Sequence, residues 1–258
     1  MGETAEAAAL VAAARRDRAL RRLELVHAID APRARALGEI DRASLEIDRA
    51  SAERMGRRGG VKGAEGLVTA LKWGRCGALI DASHPFDAPL RAAAAGAARV
   101  LGLPFLQYHR PLWTAQSDRV RHSANAASAA RSAPFFARVF LWVGLERLGP
   151  FAERRDLWHL VRAYDPPPGR LPVARGDYTL GRGPFTERHE ATLLSDYRIS
   201  LLVLENSGAA LAAPMRRAAA ALDLPISLIS PPDPPSPGPS GAVARSEAEA
   251  LAWLRALH

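Results

Sequence analysis

One pattern, written twice, constrains this chain more than anything else: a short apolar strand, a polar turn, an alanine-rich helix and a second apolar strand. The first copy is ALIDASHPFDAPLRAAAAGAARVLGLPFLQY, with its strand at 78–81, its polar turn at 82–88 and its helix from about Pro89 to Leu101. Gly102 stops the helix before the strand in LPFLQY. Pro suits a first helical turn and Gly a helix C-terminus. The second copy has the strand ISLLVL at 199–204, the turn ENSGAALAA, a helix from Pro214 and the strand in LDLPISLIS. Leu101-Gly102-Leu103-Pro104 and Leu222-Asp223-Leu224-Pro225 hold the same place in each copy. Two apolar strands joined by a helix form a parallel pair with a right-handed crossover. The fold class is therefore α/β with parallel sheets, in two tandem halves.

Around these units, residues 5–20 have the Ala/Leu content of a helix, and LELVHAI at 23–29 reads as a strand. In EIDRASLEIDRASAE the stretch from Glu39 to Ser44 recurs as Glu46 to Ser51, too short a repeat for a coiled coil. GRRGGVKGAEG at 56–66 resembles a phosphate loop but lacks the Gly-Lys-Ser/Thr ending, so it reads more simply as a loop. The segment AEGLVTALKWG follows as a helix, while RVFLWVG at 138–144 and LWHLVRAY at 157–164 are strand-like. PPDPPSPGPSGA after Ser230 reads as a linker. Ser246 and Glu249 then stand at capping-box spacing, which predicts a terminal helix.

At 258 residues the chain has room for one large or two ordinary domains. A net charge of +8 raises nucleic acid as a partner. Against it, Lys occurs only at Lys62 and Lys72, and the arginines are spread along helices rather than clustered with aromatics. The reading is no nucleic acid, and a small polyanion is served equally well by that field. Cys76 stands alone, so no internal disulfide forms and a reducing compartment fits. The N-terminal stretch places acids before its short apolar run and arginines after it, the reverse of a secretory signal. No stretch approaches the roughly 18 apolar residues of a membrane helix. A cytoplasmic protein without membrane attachment is expected, as a monomer or small homo-oligomer. The scattered histidines show no metal-ligand spacing, so no metal is expected.

In an open parallel sheet, ligands bind outside the carboxyl ends of the strands. The turn after Ile80 is such a place. Asp81 and His84 are candidates for proton handling, and Ser83 with the helix N-terminus for holding an anion. A structural reading stands beside this one, in which Ser83 or Asp87 caps the helix and His84 belongs to the turn.

Three stretches, IDASHPFDAPLRAAAAGAARVLGLPFLQYHRPLW, GRGPFTERHEATLLSDYRISLLVLENSG and LDLPISLISPP, together resemble the precorrin-6A reductases of cobalamin biosynthesis, cobalt-precorrin-6A reductases included. The family's Asp-Ala-Thr-His-Pro-Phe turn is met by Asp81 to Phe86 with Ser83 for Thr. Its Arg-Pro-x-Trp is met by Arg110, Pro111 and Trp113, its Arg-Gly-Pro-Phe by Arg182 to Phe185, and its Asn-Ser-Gly by Asn206 to Gly208.

The resemblance implies two Rossmann-like domains facing a central cleft, 1–113 and 114–258, the second carrying the Pro-rich linker 231–242 and the terminal helix. It implies NADPH as hydride donor to an anionic tetrapyrrole. By the same resemblance, Ser83, Arg110, Arg182, Asn206 and Ser207 would bind substrate, and His84 or Asp81 would handle protons. Gly2, Thr4, Glu6, Gly144, Gly183 and Gly208 would meet the cofactor. The family's opening Gly-Gly-Thr-x-Glu-Ala is matched at its end by GETAEA, and no strand precedes it, so the first strand of the N-terminal sheet is expected to be missing. Other departures are AIDA at 28–31 for Ala-Gly-Arg-Thr, Trp142-Val143-Gly144 for Thr-Thr-Gly, and Glu205 where the family has Lys. A carboxylate at 205 would repel an anionic substrate. That keeps a second expectation, a relative that binds tetrapyrrole or nucleotide without efficient reduction.

Overall fold

The computed structural model describes residues 5–20, 63–115, 117–164, 166–167, 169–181, 183–239 and 241–257. The expected strand at 23–29 and the duplicated segment lie outside them. In chain order the elements are α1 (Ala5–Arg16), α2 (Gly63–Trp73), β1 (Leu79–Asp81), α3 (Ala88–Leu101), β2 (Phe105–Tyr108), β3 (Val120–Ser123), α4 (Ala126–Ser132), β4 (Arg138–Trp142), β5 (Trp158–Ala163), β6 (Gly176–Leu180), α5 (Glu187–Asp196), β7 (Leu201–Glu205), α6 (Ala213–Ala221), β8 (Ile226–Ile229), β9 (Gly241–Ala244) and α7 (Glu247–Ala256). The Gly63–Gly66 end of the supposed loop is thus the first turn of a helix.

The chain divides into two compact units, Met1–Pro111 with Pro232–His258, and Leu112–Pro231. This corrects the expectation that the tail belongs to the second half. The Pro-rich stretch ends in a strand, β9, which pairs in parallel with β2 from Phe105↔Gly241 to Tyr108↔Ala244. Backbone pairing outweighs sequence adjacency here, because β9 gives β2 a second partner. The first unit's described sheet runs β1-β2-β9.

Local chemistry sets α3. Asp87 caps its N-terminus by accepting from the Leu90 amide at 3.1 Å, Pro89 occupies the first turn, and Gly102 closes the helix at φ 63°. The alanine face of α3 buries Ala94, Ala97 and Ala98 against Leu67 and Leu71 of α2 and against Leu79 and Phe105 of the sheet. Side chains this small bring helix and sheet into close approach at little entropy cost. On the sheet's other flank, Leu10, Leu106, Ala244 and Ala250 form one cluster. Arg255 of α7 grips Asp17 through Nε and Nη2 at 2.9 and 2.6 Å, fixing α7 beside the end of α1.

Among the described residues, the second unit's sheet has six strands in the order β3-β8-β7-β4-β5-β6. All of its pairings are parallel. β3 and β6 are edge strands with largely exposed side chains, which is why no apolar run announces them. Phe140, Leu160, Leu202, Leu204 and Leu228 of the inner strands pack with Leu194 of α5 and with Met215, Ala218 and Ala219 of α6. The connections after β4 lead to β5, whereas those after β7 lead to β8. The strand order therefore reverses between β4 and β7, and the crevice outside their carboxyl ends is the ligand position of such sheets.

His159 of β5 is fully buried, with Nδ1 3.2 Å from the Arg175 carbonyl oxygen. Burial holds its pKa below the ordinary range. The unfolded chain takes up a proton from about pH 6.5 downward while the folded site refuses it. Stability is therefore expected to be level above pH 6.5 and to fall as the pH drops below it, by at most about 1.4 kcal/mol per unit for this group. Denaturant midpoints measured from pH 7.5 to 5.5 check this, and His159→Gln should flatten the dependence.

No described helix is long and apolar enough to cross a membrane.

Candidate functional site

In the first unit, the carboxyl ends of β1 and β2 carry the predicted residues. Asp81 is buried, and its Oδ1 accepts from the Ser83 amide at 3.1 Å and the Ser83 hydroxyl at 2.5 Å. Its Oδ2 lies 3.8 Å from Arg91 Nε. Arg91, on α3, also donates to the Pro85 carbonyl at 3.4 Å and lies 3.0 Å from His109 Nε2. Asp81, Ser83 and Arg91 thus brace the turn from inside, and helix capping falls to Asp87 rather than Ser83. Asp81, one of the two candidates for proton handling, is set into the turn with its donors around it, as a buried acid requires.

His84 is half-buried, and its Nδ1 accepts from the Phe86 amide at 3.4 Å. In the neutral ring this puts the proton on Nε2. His109 was not singled out by sequence reasoning. Burial, then Arg91 and Arg245, hold its pKa below the ordinary range while Asp81 opposes them. The bond to Arg91 likewise favours a neutral imidazole.

Arg110 is buried and pairs with Glu6 of α1 at 2.8 Å. One predicted substrate residue and one predicted cofactor residue are therefore partners of each other. Arg110 Nη2 remains buried without a hydrogen-bond partner among the described residues. Gly2, Thr4 and Arg182 lie outside the described residues.

In the second unit, Gly144, Asn206, Ser207 and Gly208 gather at the switch point between β4 and β7. Asn206 is buried, and its Oδ1 accepts from the Trp113 amide at 2.9 Å while its Nδ2 donates to the Trp113 carbonyl at 2.8 Å. The Asn-Ser-Gly motif thereby fastens the Trp of Arg-Pro-x-Trp in a ladder-like pair. Ser207 donates its amide to the Glu205 carbonyl at 2.8 Å, and its hydroxyl accepts from Ala209 at 3.4 Å. Gly208 at φ 69° and Gly183 at φ 71° hold left-handed conformations that favour glycine.

Glu205 accepts from the Gly144 amide at 3.0 Å and pairs with Arg147 at 3.0 Å. Burial pushes its carboxyl up, while Gly144 and Arg147 pull it down. The feared bare negative charge at 205 is thus met by a cation and an amide. Sequence reading missed Arg147 because it lies on the turn after a different strand.

Phe185 stands edge-on to Trp142 with ring centres 5.6 Å apart. Both rings face Arg162 of β5, whose guanidinium carbon lies 4.4 Å from the Phe185 centroid and 4.8 Å from that of Trp142. Arg162 in turn pairs with Glu190 of α5 at 3.0 Å, and both side chains are buried. The Phe of Arg-Gly-Pro-Phe thus covers a buried ion pair. Among the described residues no three His, Cys, Asp or Glu side chains gather as a metal site.

Comparison with known proteins identifies the family. Residues 43–255 match the family described as Precorrin-6x reductase CbiJ/CobK. The chain is 36% identical over 203 residues to a precorrin-6A reductase of Rhodococcus erythropolis, covering 78% of this chain and 80% of that protein. To a precorrin-6A reductase of Rhodobacter capsulatus it is 37% identical over 182 residues, 70% of this chain and 72% of the other. Among solved structures, a CobK precorrin-6A reductase superposes with a TM-score of 0.69 at 35% sequence identity, covering 76% of this chain and 80% of that one.

Proposed function

The chain belongs to the precorrin-6x reductase family, and from that premise we propose how its own residues carry the reaction. It is an oxidoreductase of corrin ring synthesis that reduces a precorrin-6A-type tetrapyrrole. The observation that carries the site assignment is the switch point of the larger sheet. There the turn Asn206–Gly208 follows β7, Gly144 follows β4, and the Gly208 amide makes no hydrogen bond among the described residues.

A nicotinamide dinucleotide fits this turn, because glycine lets a ligand approach the backbone and a free amide is a donor for phosphate. Ser207 and Gly208 would hold it, with Gly144 lining the approach after β4 and Gly183, also at positive φ, as a further glycine contact. When bound, such a group supplies the hydride. We assign NADPH as that donor, in keeping with the family resemblance. Glu205 already occupies the Gly144 amide, so the phosphate position falls to the turn after β7.

The protein's own part is to orient the macrocycle and handle a proton. His84 takes that role: its turn is fixed by Asp81, Ser83 and Arg91, and its Nε2 is the protonated nitrogen. Asp81 acts as a positioning residue. Arg110 offers Nη2, a buried donor awaiting an acceptor, to a substrate carboxylate. A cytoplasmic, reducing setting accords with this chemistry. The donor assignment is tested by anaerobic kcat/KM with NADPH and with NADH. A higher value for NADPH is expected, and equal or reversed values would overturn it.

A further inference from the structure

Arg216 lies on the second residue after Pro214 in α6, just beyond the turn that follows β7. Its guanidinium carbon sits 4.8 Å from the centroid of the Trp113 ring. Trp113 is itself held by both backbone bonds to Asn206. Arg216 is half-buried, yet its Nε is buried without a hydrogen-bond partner, and it makes no ion pair among the described residues. Its neighbour Arg217 shows the contrast, since it pairs with Glu187 at 2.9 Å.

A cation partly removed from water without a counter-ion carries a cost, and stacking on one indole offsets only part of it. Such a group persists where a partner arrives from outside. The position is specific as well: the chain Asn206–Trp113–Arg216 places it beside the carboxyl end of β7, next to the switch point. We propose that Arg216 binds a carboxylate of the tetrapyrrole substrate, with Trp113 as the platform that holds the guanidinium plane and Asn206 as the clamp on that platform. Arg is suited to the task because its planar fork takes a carboxylate through two parallel N–H bonds while its face remains stacked on the ring. Burial also pulls the Arg216 pKa below its ordinary value.

The proposal rests on the reductase reading, and the test separates the two. Equilibrium binding of precorrin-6A and, separately, of NADPH is measured anaerobically on the wild-type protein, Arg216→Met and Arg216→Lys. Arg216→Met is expected to weaken precorrin-6A binding about 10- to 100-fold, the loss of a charge-assisted pair, with NADPH binding unchanged. Arg216→Lys should recover part of that loss. Unfolding midpoints of the variants should match the wild type, because Arg216 joins no ion pair among the described residues. Equal precorrin-6A binding by Arg216→Met and wild type would overturn the proposal and leave the reductase reading intact. Weakened NADPH binding with precorrin-6A binding unchanged would also overturn it, assigning the anion to a cofactor phosphate. A wild-type protein that binds no precorrin-6A would overturn the reductase reading itself and this proposal with it.

Discussion

Glu190→Leu is expected to destabilise the second unit by about 3–5 kcal/mol, because it leaves the Arg162 guanidinium buried without its counter-charge. The side chains of the pair are 2% and 0% exposed, so water cannot take over the lost contact. Burial already pulls Arg162 below its ordinary pKa, and Glu190 is the main group that opposes this. The rings of Phe140, Trp142 and Phe185 surround the guanidinium but do not neutralise it. The double change Arg162→Met with Glu190→Leu should restore most of the stability, since a buried pair replaced by apolar groups of similar size is often neutral or better. Urea denaturation of the wild type, both single variants and the double variant completes the cycle. A single-variant loss below about 1 kcal/mol would show that the unit admits water around Arg162.

His84→Ala is expected to lower kcat about 100- to 10,000-fold, the usual range for removing a positioned acid or base. The turn should survive the change, because Asp81, Ser83 and Arg91 hold it without the imidazole. A KM close to wild type together with a fallen kcat would mark a role in the chemical step. Unchanged turnover would remove His84 from proton handling. Asp81→Asn, by contrast, should act through the turn: it weakens the pairing with Arg91 and is expected to lower stability together with activity.

The local part of this structure was legible in the sequence. Strand, capped helix and Gly stop in 78–108 follow from alternation of apolar runs with Asp87, Pro89 and Gly102, each of which acts on its near neighbours. The candidate residues at the ends of β1 and β7 were legible for the same reason, since strand ends can be read from where apolar runs stop. What escaped were features made by distance in the chain. β9 follows a Pro-rich stretch and owes its existence to β2, more than a hundred residues earlier. β3 and β6 lie at sheet edges with little to bury. The pairs Arg110–Glu6, Arg147–Glu205 and Arg162–Glu190 join separate elements. No local pattern marks which arginine meets which acid, and so Arg110 looked free when it is half committed, while Glu205 looked bare when it shares Arg147 with Glu146.

The most direct measurement is anaerobic incubation of the purified protein with precorrin-6A and NADPH deuterated at the transferable position, following NADPH loss, the pigment spectrum and the product mass together. The account predicts that NADPH oxidation and the spectral change proceed in step, and that deuterium appears on a carbon of the macrocycle. NADPH left unoxidised while the tetrapyrrole binds, or a reduced product without deuterium, would contradict it.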